Sequence, residues 1–192
     1  LSELRQSVAD NRVDFVFTNS GQYVVLESEY GISRIATLKS PFGSEIRNVF
    51  GSVIFTRADR QDIQTLDDLR GKTFAAVKRR AFGGFQIAWR EFKATGINPF
   101  NDFERIEFLG LPQDNIVFAV RDGKVDAGTV RTDVLETMAS EDAIKLQNFR
   151  VLNVQSVPGH DVLLSTRLYP EWPFASMPKT PSELSEKVAI AL

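Results

Sequence analysis

The chain has 192 residues, 43% of them hydrophobic and 25% charged, with a formal net charge of −2, no cysteine and a single histidine. Such a composition is ordinary for a globular protein long enough to bury one large core or two small ones. It excludes disulfides, thiolate catalysis and metal sites built from cysteine or clustered imidazole, and no basic face dominates as a dedicated nucleic-acid binder requires.

In chain order, LSELRQSVADNRVDFVF reads as the back half of a helix followed by a strand over 13–17. The turn Thr18-Asn19-Ser20-Gly21 then opens a helix over 22–29. A strand over 32–38 leads to the turn Ser40-Pro41-Phe42-Gly43, and VFGSVIFT at 49–56 is the most strand-like run in the chain. Thr65 is suited to cap a short helix, Asp67 and Asp68 suit its positive end, and Gly71 suits its left-handed end. A brief apolar strand over 73–77 is followed at once by Lys78, Arg79 and Arg80, then by Gly83-Gly84. The next helix, 84–94, carries Phe85, Ala88, Trp89 and Phe92 on one face. Further on come a strand over 103–109, a helix opened by Pro112 and closed by Gly123, a strand over 125–130 and a helix over 131–140. Strands over 149–154 and 161–165 follow, and Thr180-Pro181-Ser182-Glu183 has the spacing of a capping box before the last helix. The chain stops at EKVAIAL inside a helical pattern, which, with its opening, reads as a piece of a longer protein.

This alternation indicates an α/β fold with mostly parallel sheets, whose ligands bind beyond the C-terminal strand ends where helix N-termini converge. The polar candidates fall at those ends: Asn19-Ser20, Thr56-Arg57, Lys78 to Gly84, Leu111 to Asp114, Arg131-Thr132 and His160. A strand, a basic loop and a glycine-opened helix make an oxyanion cradle, because the helix start offers N–H donors and a partial positive charge. The same segment also reads as a solvated basic loop with a glycine turn. Lys78 and Arg79 are the best charge partners, a guanidinium matching an oxyanion in a bidentate fork. Arg80 reads as solvated. Phe82, Gly83 and Gly84 would wall and floor the site, whereas Phe85 and Trp89 read as core. Tyr23 reads equally as a ligand contact or as packing, and Arg131 as a ligand group or a surface charge. Arg57 reads more readily as a surface ion pair, and His160 as polar surface or an anion donor. Asn19 and Ser20 serve as caps that also present N–H groups.

The ordered segments VDFVFTNSGQYVVLE, GSVIFTRADRQDIQTLDDLRGKTFAAV, FGGFQIAWREF, GKVDAGTVRTDVLE and STRLYPEWPFA resemble the phosphonate-binding branch of type II periplasmic binding proteins. Within it, FGGFQ, Gly128-Thr129-Val130-Arg131-Thr132-Asp133 and Leu168-Tyr169-Pro170-Glu171-Trp172-Pro173 resemble sensor domains of tetrathionate-sensor-type membrane histidine kinases. The resemblance implies a two-lobed type II periplasmic-binding-protein-like fold that clamps a small oxyanion between its lobes. The ligand-binding set expected is Asn19, Ser20, Tyr23, Arg57, Lys78, Arg79, Phe82, Gly83, Gly84, Arg131, Thr132 and His160. Lobe one would be 1–56, lobe two 57–157, and 158–192 the return to lobe one. The family's opening strand, helix and second strand have no counterpart here, so the N-terminal part of lobe one is expected to be missing, and the remainder to self-associate or else to be disordered near its N-terminus.

The expected role is an extracytoplasmic, periplasmic sensor domain for a sulfur oxyanion or phosphonate-like ligand. Its partners would be the transmembrane and cytoplasmic modules of a parent kinase; no nucleic acid, cofactor or metal is expected. A free solute-binding subunit of a phosphate or phosphonate importer is the alternative, and a cleft enzyme acting on a phosphorylated small molecule a remote one. No catalytic residue is identified, because no nucleophile stands beside a base. Tyr169-Pro170-Glu171-Trp172-Pro173 reads as a rigid strap over lobe one, or as a latch.

Overall fold

The computed structural model describes residues 2–42 and 45–192; of the expected turn Ser40-Pro41-Phe42-Gly43, Ser40 to Phe42 form a strand instead, paired with residues 45–47, and Gly43 lies outside the described residues. Two compact units are present, one of Leu1–Val49 with Tyr169–Leu192 and the other of Phe50–Leu168. The first unit carries α1 (Ser2–Ala9), β1 (Phe15–Phe17), α2 (Ser20–Tyr30), β2 (Ser33–Thr37), β3 (Ser40–Phe42) and β4 (Glu45–Arg47), and a short strand, β5 (Val49–Phe50), reaches its limit. The second carries β6 (Ser52–Arg57), β7 (Thr73–Ala76), α3 (Ile87–Ala94), α4 (Pro99–Asp102), β8 (Arg105–Phe108), α5 (Asp114–Arg121), β9 (Ala127–Arg131), α6 (Val134–Ser140) and β10 (Phe149–Leu152). The chain ends in the first unit with β11 (Tyr169–Pro170), β12 (Pro173–Ser176) and α7 (Ser182–Ala191). The division therefore falls at 49/50 and 168/169, not at the expected 56/57 and 157/158. Hydrogen bonding decides this, because β6 pairs with both β9 and β10 inside the second unit.

In the first unit three strands pair in the order β1-β12-β2, both pairings antiparallel. Side chains alternate across a strand. Val16 and Ala175 accordingly join Val8, Leu26, Ile32 and Met177 in a buried cluster. Phe15 and Phe17 turn to the other face, where they meet Phe174 and Trp172 with ring centroids 5.4–6.5 Å apart. Asn19 caps α2 by accepting from the Gln22 N–H at 2.9 Å, and Gly31 ends it at φ 68°. The expected capping box before α7 does not form: the Thr180 hydroxyl donates instead to the Asp14 carbonyl at 2.8 Å, tying α7 to the approach to β1.

In the second unit five strands run β10-β6-β9-β7-β8. The β9-β7 and β7-β8 pairings are parallel, as crossovers through α3, α4 and α5 require, while β6 runs antiparallel to both its neighbours. The sheet is thus α/β but more mixed than alternation alone predicts. Val53, Phe55, Ala75 and Val77 pack on one face against α5 and α6; Ile54, Phe74 and Ala76 pack on the other with Phe85, Ala88 and Phe92. Residues 161–165 form no strand. Ser165 binds β6 through its own N–H to Ser52 O at 3.0 Å, and its hydroxyl accepts from the Ile54 N–H at 2.8 Å. At the expected Thr65 cap the roles are reversed, since Asp68 Oδ2 accepts from the Gln64 N–H, the Thr65 N–H and the Thr65 hydroxyl. Among the described residues no helix is long and apolar enough to cross a membrane.

Candidate functional site

The antiparallel register Ser52↔Arg131 and the parallel register Phe74↔Ala127 bring the start of β6 and the C-terminal ends of β7 and β9 to one edge of the second unit's sheet. There the chain assembles a cluster around Arg131. Its guanidinium carbon lies 4.4 Å from the centroid of the Phe50 ring, a cation–π stack against a side chain only 2% exposed. Its backbone N–H donates to Gln113 Oε1 at 2.9 Å. Phe82 meets Phe50 edge-on at 6.1 Å, and the Ser52 hydroxyl donates to the Gly83 carbonyl at 2.6 Å. Thr132 is buried; its hydroxyl accepts from the Gly51 N–H at 3.2 Å and its N–H donates to Gly51 O at 3.1 Å.

The expected helix over 84–94 opens two residues early, as a π-helical turn over Phe82–Gln86 that runs into α3. Such turns recur at functional sites. The first ladder bonds run from the Gln86 N–H to Ala81 O, at 3.0 Å, and from the Ile87 N–H to Phe82 O. The N–H groups of Gly83, Gly84 and Phe85 precede that ladder, as donors at a helix start do. Both glycines are needed for close packing. A Cβ on Gly83 would lie 2.8 Å from the Phe50 ring, and one on Gly84 would lie 2.3 Å from Val77 Cγ2. Gly84 O also accepts from the Val77 N–H at 3.1 Å, which folds the basic loop back on the end of its strand.

Of the residues expected to bind ligand, Phe82, Gly83, Gly84, Arg131 and Thr132 are therefore brought together. Lys78 starts the exposed loop beyond β7. Arg79 stacks its guanidinium 4.5 Å from the centroid of Phe100, part of an aromatic group with Phe85 and Trp89. Arg57 is a correction. It ends β6 five residues from Ser52, roughly 17 Å along an extended strand, and so lies at the opposite edge of the sheet. Asp59 takes its guanidinium in a bidentate pair at 2.9 and 2.6 Å; that hydrogen bonding raises the Arg57 pKa and lowers that of Asp59. His160 closes a turn, its N–H on Val157 O at 3.0 Å, and takes no part in the contacts that build the cluster.

Asn19, Ser20 and Tyr23 belong to the first unit, and each is engaged there. Ser20 donates to the carbonyls of Pro170 and Glu171, the latter at 3.1 Å. The Tyr23 hydroxyl donates to Glu27 at 2.5 Å and accepts from the Arg34 N–H at 3.2 Å; burial, then the Glu27 bond, push its pKa up. The Tyr169–Pro173 segment is strapped down: Glu171 is 1% exposed and accepts from the Ser40 hydroxyl at 3.1 Å, and the Leu38 N–H donates to Trp172 O at 2.9 Å. Sequence reading passed over Phe50 and Ser52, while Gln113 lies within the candidate stretch Leu111 to Asp114. The one signal for the first two was Gly51, whose place inside an otherwise continuous strand marks a close approach; a Cβ there would lie 2.4 Å from Leu164 Cδ1.

Comparison with known proteins matches all of residues 1–192 to the family described as the ABC transporter, phosphonate, periplasmic substrate-binding protein. The tetrathionate sensor histidine kinase TtrS of Salmonella typhimurium is 37% identical over 193 residues, a match that covers the whole of this chain and 32% of the kinase. The chain thus spans about a third of the length of that curated relative. Among solved structures, XAC2383 from Xanthomonas citri bound to ATP superposes with a TM-score of 0.73 at 19% identity, covering 98% of this chain and 67% of that one. The binding-protein component of an ABC phosphonate transporter from Pseudomonas aeruginosa gives 0.64 at 15% identity, covering 99% and 58%. These likenesses establish the type II periplasmic-binding fold.

Proposed function

The chain belongs to the periplasmic phosphonate substrate-binding family of ABC transporters, and on that footing we propose that it is the extracytoplasmic sensor domain of a two-component histidine kinase, binding a small oxyanion. The observation that carries this reading is the Arg131 guanidinium held over the Phe50 ring, 4.4 Å from its centroid, beside the donor-rich start of the Gly83-Gly84 helix. A guanidinium and backbone N–H groups are the donors an oxyanion takes, each charged hydrogen bond contributing about 1.5–3 kcal/mol. Phe50 and Phe82 wall off water from one side and strengthen those bonds. The role of these residues is to hold the ligand, and no turnover of phosphate or sulfur esters is expected. Signal would follow from a difference in ligand affinity between two conformations.

A melting-temperature panel with tetrathionate, methylphosphonate and inorganic phosphate tests the reading. A ligand present at 100 times its dissociation constant adds about 2.7 kcal/mol to the native state. A clear rise with at least one of the anions is expected; no rise with any of them overturns it. A free importer subunit is the second reading, favoured by the family description itself. A kinase module encoded in the same gene excludes it, and a neighbouring permease gene with a lipoprotein signal supports it. We further propose self-association through the first unit, because β1 is an edge strand beside exposed Phe17 and Trp172. Light scattering that finds a monomer at high concentration overturns this.

A further inference from the structure

Three consecutive residues, Phe50, Gly51 and Ser52, each contact a different part of the cluster around Arg131. The Phe50 ring lies under the guanidinium at 4.4 Å, and the Gly51 N–H and C=O both pair with Thr132. The Ser52 hydroxyl holds the Gly83 carbonyl at 2.6 Å. An arginine is a long side chain with many rotamers, and a ligand must otherwise bear the loss of that freedom. A ring in contact with the guanidinium removes part of it before the ligand arrives. A peptide carbonyl fixed by a hydroxyl likewise fixes the plane of its peptide, and with it the direction of the following Gly84 N–H. Between Phe50 and Ser52, a Cβ on Gly51 would lie 2.4 Å from Leu164 Cδ1, so the close approach at this point of the chain requires glycine.

We propose that Phe50 and Ser52 are positioning residues for anion binding: Phe50 orients the Arg131 guanidinium, and Ser52 orients the Gly83-Gly84 turn. Neither needs to touch the ligand. The inference rests on the proposed anion-binding role of Arg131 and is tested so that the two can fail separately. Affinities for tetrathionate and methylphosphonate are measured by calorimetry on wild type, Phe50→Leu, Arg131→Ala and the double variant. Phe50→Leu keeps an apolar side chain under the guanidinium but removes the ring, and is expected to weaken binding about tenfold. In the Arg131→Ala background the same change is expected to cost less than about twofold, because a residue acting through Arg131 has nothing left to orient. Phe50→Tyr restores binding. Ser52→Ala weakens binding in both backgrounds, and Ser52→Thr restores it.

Equal losses from Phe50→Leu with and without Arg131 overturn the proposal while leaving the anion site standing. Unchanged affinity in Arg131→Ala overturns the proposed site itself. A ligand-independent reading comes from the NMR signal of the Arg131 Nε–H, expected to be shifted by the Phe50 ring current and to return in Phe50→Leu. A wild-type signal at the unstructured position overturns the positioning role whether or not either probe binds.

Discussion

Two arginines end neighbouring strands of one sheet, Arg57 on β6 and Arg131 on β9, and because those strands run antiparallel they occupy opposite edges. In sequence they are near equivalents, each following a buried apolar run. In the structure their surroundings differ. Arg57 gives two of its N–H groups to Asp59 two residues away, an exposed pair of the kind that contributes little to stability. Arg131 lies on an aromatic face next to a glycine-opened helix. The contrast teaches that an arginine becomes a ligand candidate through what orients it, and that orientation comes from residues distant in sequence.

The sharpest way to break the comparison is to remove both arginines in turn. Arg131→Ala should weaken binding of the anion found in the melting panel by roughly 10- to 100-fold, the loss of one charged bidentate contact, as read by calorimetric titration. Arg57→Ala should change it by less than about twofold, within the usual range for a surface residue. Equal effects would erase the distinction between the two edges.

A second test asks whether the glycines at the Arg131 edge are structural. Gly84→Ala drives a methyl group into Val77. It should lower unfolding free energy by about 1–3 kcal/mol in urea titration, as overpacking of a tight interior does. Gly96→Ala, at a surface turn with nothing within 4 Å of the added carbon, should cost only the strain of its φ of 77°.

The Arg57 edge carries its own lock. Asp126 accepts from the Thr73 N–H at 2.8 Å and the Thr73 hydroxyl at 2.7 Å, and pairs with Arg60. Burial pushes its pKa up, but the bonds from Arg60 and Thr73 outweigh burial and hold it below the ordinary carboxylate value. A carboxylate depressed in the folded state contributes stability above its unfolded pKa, about 3.9, which is lost as pH falls through the folded value. Wild type should therefore lose urea resistance below about pH 4, and Asp126→Asn, already weaker at pH 7, should lose less over that interval. Anion affinity at neutral pH should be unaffected by this substitution, since Asp126 lies at the edge away from Arg131.

A small effect is expected at Arg79, one of the two residues that sequence ranked highest. Arg79 lies on the exposed loop beyond β7 and stacks on Phe100 in the aromatic group with Phe85 and Trp89, not in the cluster around Arg131. Arg79→Ala should change anion affinity by less than about threefold, most of it through lost long-range attraction that salt screens. A loss as large as that of Arg131→Ala would mean that the guanidinium leaves Phe100 for the ligand.

What the sequence determined by itself is largely local. Alternating runs with period two and period 3.6 marked the strands and helices, so Phe85, Ala88 and Phe92 were legible as a buried stripe. Gly71 and Gly123 were legible as left-handed helix ends, and both have φ near 69°. The strand–loop–glycine–helix order around residues 73–94 was enough to point to one edge of an α/β sheet. Pairing partners decided the rest. Whether β6 opened the first unit or crossed the second depended on which strands it bonded to, and no property of VFGSVIFT itself carries that information. The same is true of the capping hydroxyls: the motif offers the Thr180 hydroxyl a backbone N–H to accept from, and the fold supplied an acceptor instead, Asp14 O, from a residue far away in sequence. Arg79 and Arg131 were separated only when tertiary structure placed Phe100 beneath one and Phe50 beneath the other. A cation–π contact joins residues about 20 and 80 positions apart here, and only the folded chain brings such pairs within 4.5 Å.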